Sequence, residues 1–97
     1  MDEQQVLKYV REMAERAHEL SKKTGVPLKE YEKGFTSWEF ARACGLNHTS
    51  AQRKLRDMVL DGTLEVDSAL RKGITGRIYH APVYREPAGE AGGGNPG

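Results

Sequence analysis

The sequence lacks any apolar run long enough to cross a membrane, because a transmembrane helix needs about 20 such residues in succession. Its first ten residues, MDEQQVLKYV, also lack the basic start and the apolar segment of a signal peptide. Only one cysteine is present, Cys44, so no disulfide can form within the chain. These absences favour a reducing, cytoplasmic setting without a membrane partner. Cys44 is then a small buried residue, although pairing between two chains remains open.

Residue patterns typical of catalysis or metal binding are missing too. The soft metal ligands His18, Cys44, His48 and His80 stand at no recognised spacing, and a glycine separates Cys44 from His48. The sequence contains no nucleophile elbow, and no glycine-rich loop lies between a strand and a helix. A chain of 97 residues also leaves little room for an internal active site. We therefore expect no enzyme, no cofactor, no metal and no evident small-molecule effector.

Positive charge is concentrated in one segment, although the net charge is only +1. Residues 68–85 contain Arg71, Lys72, Arg77 and Arg85 and no acidic residue. Such a segment can approach a polyanion without built-in repulsion. The alternative is a plain hairpin loop whose charges only keep it soluble.

The apolar residues of the first segment follow a helical spacing over residues 4–23. Asp2 and Gln5 form a capping pattern, and Gly25 is typical of a helix end. We predict one helix of about 20 residues. Its stripe either covers the chain's own core or forms a seam between two copies. The stripe consists of Val6, Leu7, Val10, Met13, Ala14, Ala17 and Leu20.

Two shorter helices follow a loop over residues 25–34, which has room for one helical turn around Tyr31. Thr36 and Glu39 form a capping box for a helix over residues 37–44. Gly45 ends it, Asn47 caps a second helix over residues 48–61, and Gly62 ends that one. Ahead of the pair, residues 35 and 36 have room for a brief strand.

Alternating apolar residues predict two strands, within residues 63–68 and 76–84, joined by a loop over residues 67–76. Pro82 suits an edge strand. Residues 86–97 are glycine-rich and lack apolar anchors, so we predict a disordered tail.

The order helix, short strand, helix, turn, helix and basic hairpin resembles the winged helix-turn-helix DNA-binding domain. The run WEFARACGLNHTSAQRKLRDMVLDGTLE carries the likeness, which covers residues 35–84. The resemblance implies an α+β domain over residues 1–85, with three helices and a two- to three-stranded antiparallel wing. The helix over residues 1–24 would fill the family's remaining helical position. The helix over residues 48–61 would enter the major groove, and the wing over residues 67–77 would contact the backbone or the minor groove.

Polar side chains at the start of the helix over residues 48–61 are suited to reading base edges. Gln52 can pair with adenine and Arg53 with guanine, while Lys54 and Arg56 are expected at phosphates. Ser37 is carried over from the resemblance as a phosphate contact. If four to six cations engage phosphates, log affinity should fall against log salt with a slope of about −4 to −5. The candidate DNA-binding residues are Ser37, His48, Thr49, Ser50, Gln52, Arg53, Lys54, Arg56, Arg71, Lys72 and Arg77.

We therefore expect a sequence-specific binder of double-stranded DNA, a transcriptional regulator or repressor of prokaryotic, phage or archaeal type, associated with the nucleoid. A homodimer is favoured, since paired helices would then lie about 34 Å apart on the duplex. The alternative is a winged helix that binds protein in a transcription, replication or partition assembly, with Val59 and Leu60 as its contact patch. Trp38, Tyr79, His80 and Tyr84 are expected in core or edge packing rather than as platforms for bases.

Overall fold

Five helices and one antiparallel pair of strands make up the part of the chain that the computed structural model describes, residues 2–87. The chain is a small α+β domain, as the sequence predicted. Residues 88–97, most of the predicted disordered tail, lie outside the described residues. The elements are α1 (Glu3–Glu15), α2 (Ala17–Thr24), α3 (Leu28–Glu32), α4 (Ser37–Cys44), α5 (His48–Leu60), β1 (Glu65–Lys72) and β2 (Ile78–Arg85).

The single amino-terminal helix predicted from the apolar stripe is in fact two helices. Arg16 interrupts it with φ −94° and ψ 2°, and its N–H is donated 3.0 Å to the carbonyl of Met13, one residue short of helical spacing. Ala17, which follows this turn, is buried, whereas Ala14, which precedes it, is exposed. The prediction of one continuous helix was wrong because no glycine or proline marks the break, so apolar spacing alone could not reveal it.

The helix boundaries around α4 and α5 follow the predicted signals. Thr36 and Glu39 form the capping box of α4, and Asn47 accepts the Ser50 N–H at the start of α5. At the end of α4, Gly45 has φ 70°, and the Leu46 N–H is donated 3.0 Å to a carbonyl one turn back. This Schellman-type turn fixes the angle between the two helices. The predicted helical turn around Tyr31 is α3.

The core lies between the helices and the inner face of the sheet. Helix α5 contributes Ala51, Leu55 and Met58, all at most 1% exposed. Cys44 is half-buried against this core, where burial raises the pKa of its thiol to about 11. The other buried apolar residues are Val6, Val10, Met13, Ala17, Val26, Tyr31, Phe35, Phe40, Ala41 and Leu64, with Ala69, Ala81 and Val83 on the inner face of the sheet.

The hairpin is longer and its loop shorter than predicted. The strands pair from Glu65 opposite Arg85 to Lys72 opposite Ile78, which leaves a loop of only residues 73–77. Residues 68–72, predicted as loop, are therefore strand. The prediction missed them because their inward positions hold a small residue and a cation instead of large apolar side chains. Next to the pair, Phe35 forms a single bridge with Tyr84, in place of the expected brief strand.

The inward cation of β1 is Arg71, which joins the hairpin to the helical part of the fold. Its side chain is 3% exposed, and its Nε donates a hydrogen bond of 2.8 Å to a carboxylate oxygen of Glu39. Its two Nη groups donate hydrogen bonds to the carbonyl oxygens of Glu30, at 3.0 Å, and Gly34, at 2.6 Å. The guanidinium also lies 4.1 Å from the centre of the Tyr31 ring. These contacts hold β1 against α3 and the start of α4.

Loss of this buried ion pair should cost much of the fold's stability. We expect Arg71→Ala to lower the free energy of unfolding by about 3 kcal/mol, because it leaves the Glu39 carboxylate and two carbonyls without their donor. The neighbouring, exposed Lys72 provides the control, and Lys72→Ala should change the free energy of unfolding by less than about 0.5 kcal/mol. Urea denaturation of both variants measures the difference. Equal stabilities would show that the pair contributes nothing.

A second contact between α3 and β1 predicts loss of stability in acid. Glu30 is 5% exposed, and its carboxylate accepts the Leu70 N–H at 2.8 Å and lies 3.4 Å from the Lys33 ammonium. The Leu70 N–H, and then Lys33, hold the pKa of Glu30 below its ordinary value of 4.5. A carboxylate with a lowered folded-state pKa stabilises the fold above the unfolded pKa, and this contribution is lost as the pH falls.

We therefore expect the free energy of unfolding of the wild type to fall more steeply below pH 4.5 than that of Glu30→Gln. The amide oxygen of glutamine can still accept the Leu70 N–H, so the fold is retained. Glu32→Gln, on the exposed side of the same helix, serves as the matched control. Urea titrations at a series of pH values measure the slopes. Parallel profiles for the wild type and Glu30→Gln would contradict the assignment.

Candidate nucleic-acid interface

Helix α5 divides into a buried and an exposed face. Its apolar side chains enter the core, whereas most of the predicted contact residues lie on the exposed side. These exposed residues are Thr49, Ser50, Gln52, Arg53 and Arg56. Nothing within the described residues covers them, so the face is accessible to a ligand.

His48, at the start of α5, is held by two side chains of α4. Its Nε2 lies 2.7 Å from the hydroxyl oxygen of Ser37. Its ring stacks on that of Trp38, with 3.7 Å between the ring centres and 5° between the planes. The starts of α4 and α5 are thus joined through one imidazole. Ser37, predicted as a phosphate contact, is only 9% exposed, and its hydroxyl is already engaged by His48.

The stacking predicts a spectroscopic signal, because Trp38 is the only tryptophan of the chain. An imidazole in face contact with an indole provides a route for quenching its fluorescence. We expect His48→Ala to raise the Trp38 emission, with little loss of stability because the stack lies at the surface. Steady-state fluorescence of the folded proteins measures the change in Trp38 emission. His18→Ala removes a histidine that lies on α2, away from the stack, and should leave the emission unchanged. Equal emission from all three proteins would show that the stack does not persist in solution.

Lys54 lies on the opposite flank of α5, near two carboxylates. The pKa of Asp61 is lowered, mainly by the Thr63 hydroxyl and by Glu3, and the positive charge of Lys54 contributes. Lys54 is half-buried. Part of its charge therefore serves the contact between α5 and the start of α1.

The hairpin offers two of its three predicted cations to a ligand. Lys72 and Arg77 are exposed on either side of the loop. Arg71 was predicted as a contact as well, but this is wrong, because its guanidinium is buried against Glu39 and Tyr31. A run of cations in the sequence cannot show which member turns inward along a strand.

A groove of about 270 Å³ separates the start of α5 from β2. Beyond the Tyr84–Phe35 bridge, the edge of β2 that faces this groove has no partner strand among residues 2–87. Backbone groups alternate in direction along a strand, so His80 points its N–H and C=O to the same edge as Tyr84. The groove therefore combines hydrogen-bonding side chains with unpaired backbone groups. Its lining comprises Thr36, Ser37, Trp38, His48, Gln52, Tyr79, His80, Ala81 and Pro82.

Tyr79 connects this groove to the hairpin loop. It lines the groove, and its ring lies beside Gly73, where an added Cβ would be in ordinary van der Waals contact with a ring carbon, at 3.6 Å. The exposed start of α5, the groove and the loop thus form one continuous surface, which we call the α5–hairpin surface.

Two aromatic residues of the α5–hairpin surface were misplaced by sequence reasoning. Trp38 is 66% exposed and Tyr79 is 47% exposed, although both were expected in packing. For Trp38 a signal was available, since it occupies the second position of α4, off the buried face formed by Phe40 and Ala41.

A larger cavity of about 430 Å³ lies elsewhere, between α1, α3 and the end of β2. None of the predicted contact residues lines it. At its rim Arg11 pairs with Glu86 at 2.9 Å, and this contact lowers the pKa of the Glu86 carboxyl.

The sequence matches no protein-family model and no curated protein, and the fold matches no solved structure. Within residues 2–87, no helix has the length and apolar character required to span a membrane. The same residues contain no group of three or more histidine, cysteine or acidic side chains placed to hold a metal ion.

Proposed function

We propose that this chain is a winged helix protein that binds double-stranded DNA and controls transcription, as a repressor or related regulator. Helix α5 would enter the major groove, and the hairpin would contact the neighbouring backbone. The observation that supports this most is the α5–hairpin surface, because it connects the exposed polar start of α5, through Tyr79, to the loop that Lys72 and Arg77 flank.

The two parts of that surface suit different contacts. Gln52 and Arg53 are exposed and can form bidentate pairs with adenine and guanine, which supply specificity. Lys72 and Arg77 are suited to phosphates, which supply affinity independent of sequence. A duplex backbone crossing the groove would meet the His80 N–H. The Trp38–His48 stack would set the angle at which α5 enters.

A single copy of this surface reads about half of a symmetric site, so we propose a homodimer on DNA. Two large apolar side chains away from the groove are unusually exposed, Leu60 (78%) and Val66 (51%). They offer a patch for a second copy. The same exposure supports the alternative function, a winged helix that binds another protein of a transcription, replication or partition assembly.

A salt titration of DNA binding tests the proposal. Four accessible cations, Arg53, Arg56, Lys72 and Arg77, would give a slope of log affinity against log salt of about −3.6. The double variant Lys72→Ala/Arg77→Ala should bind more weakly, with the slope reduced in magnitude by about 2. Binding is measured by fluorescence anisotropy on duplexes that the wild type selects from a random pool.

The matched control is Lys22→Ala/Lys23→Ala, which removes the same charge from exposed positions of α2, a helix that contributes no residue to the α5–hairpin surface. It should keep the wild-type slope. Equal slopes for both double variants would show that the hairpin makes no phosphate contact. A wild type that selects no sequence and binds no duplex would favour the alternative function.

A further inference from the structure

The apex of the hairpin holds the most exposed large apolar side chain of the described residues. Ile74 is fully exposed, at 106% of the reference area, ahead of Leu60 at 78%. Single apolar residues at the surface are common and carry no meaning by themselves. The setting of Ile74 is what requires an explanation.

The loop holds Ile74 in a fixed position. The Gly73 N–H is donated 2.8 Å to the carbonyl of Arg77, and the Gly76 N–H is donated 2.9 Å to the carbonyl of Gly73. Gly76 adopts φ 84°, a conformation that favours glycine. Ile74 is the second residue of this closed turn, and its branched side chain has few rotamers. Since a polar residue or proline would serve the turn better, the loop itself does not require an isoleucine there.

The charges around the apex define what it can approach. Lys72 and Arg77 flank the loop and are exposed, and residues 68–85 contain no acidic residue. An apolar tip between two cations suits a polyanion that also offers an apolar interior. A DNA duplex offers one, because its stacked bases lie beneath the phosphates.

The width of the minor groove determines how the tip can enter. An undistorted minor groove is about 6 Å wide, which admits a side chain but not a hairpin. Proteins that widen it insert an apolar side chain between base steps and bend the duplex away from the wedge. Ile74 has the chemistry and the placement for this insertion.

We propose that Ile74 is a minor-groove wedge that partly separates two stacked base pairs beside the α5 site and bends the DNA. The inference rests on the proposed function and adds to it a bend and a preference for deformable sequence. Pyrimidine–purine steps unstack most easily. Selected sites should therefore carry such a step at a fixed distance from the bases that α5 reads.

The test measures DNA bending by energy transfer between dyes at the two ends of duplexes of about 30 base pairs that the wild type has selected. At saturating protein, the wild type should bend the duplex by roughly 20–90°. Ile74→Ala should lose most of this bend and bind several-fold more weakly, whereas Ile74→Leu should retain both. Ile78→Ala, the same kind of truncation at an exposed isoleucine of β2 outside the loop, should leave the bend unchanged.

Each alternative outcome has a distinct meaning. Specific binding with an equal bend from wild type and Ile74→Ala, or with no bend at all, would overturn the wedge and leave the proposed function standing. Absence of binding to any duplex would overturn both. An Ile74-dependent association with vesicles of equimolar phosphatidylcholine and phosphatidylglycerol, with DNA bending independent of Ile74, would assign the tip to a lipid surface instead.

Discussion

The buried ion pair between Arg71 and Glu39 is the contact on which the arrangement of the molecule depends. One oxygen of the Glu39 carboxylate accepts the Thr36 N–H at 2.9 Å and so caps α4, while the other accepts Arg71 at 2.8 Å and so holds β1. A single carboxylate therefore sets both the start of α4 and the position of the loop end of the hairpin, because Arg71 lies one pair before the last pair of the strands. Since the turn at Gly45 fixes α5 on α4, the two walls of the groove share one anchor. At the same junction, Gly34 has φ 138°, and a Cβ there would lie 2.6 Å from the Tyr84 carbonyl oxygen. Only glycine allows β2 to come this close.

Internal pairing redistributes the charge of the hairpin. At the base of the hairpin, Arg85 donates hydrogen bonds to the carboxylates of Glu65 and Asp67. Near the loop, Arg71 is paired with Glu39. Two of the four cations of residues 68–85 are thus neutralised within the fold. Lys72 and Arg77, beside the loop, form no ion pair among the described residues. The cations left unpaired are thus the two that flank the loop, which concentrates the attraction for a polyanion there.

Local signals made much of this fold predictable. Capping residues and glycines fix α4, α5 and the turn between them, because each acts within a few residues of the chain. Contacts over longer distances were not predictable. Arg71 lies 32 residues from Glu39, so nothing near it in the sequence indicates that it turns inward. The stack of Trp38 on His48 arises in the same way, from contact between two helices, and the break at Arg16 has no glycine or proline to mark it. The exposed face of α5 was predicted correctly, because it is the complement of a buried stripe with clear spacing.

A rigid hairpin is also what a side chain at its tip would need in order to act on DNA. Separating stacked bases requires force, and a flexible loop would yield before the duplex does. Here the loop is closed by two backbone hydrogen bonds, the strands are paired over eight positions, and Arg71 anchors β1 close to the loop. The direction in which Ile74 points is therefore set relative to α5. If α5 occupies the major groove, the same rigid frame places the tip at one defined distance along the duplex. An inward arginine, which removes a cation from the surface, would thereby serve binding through geometry rather than through charge.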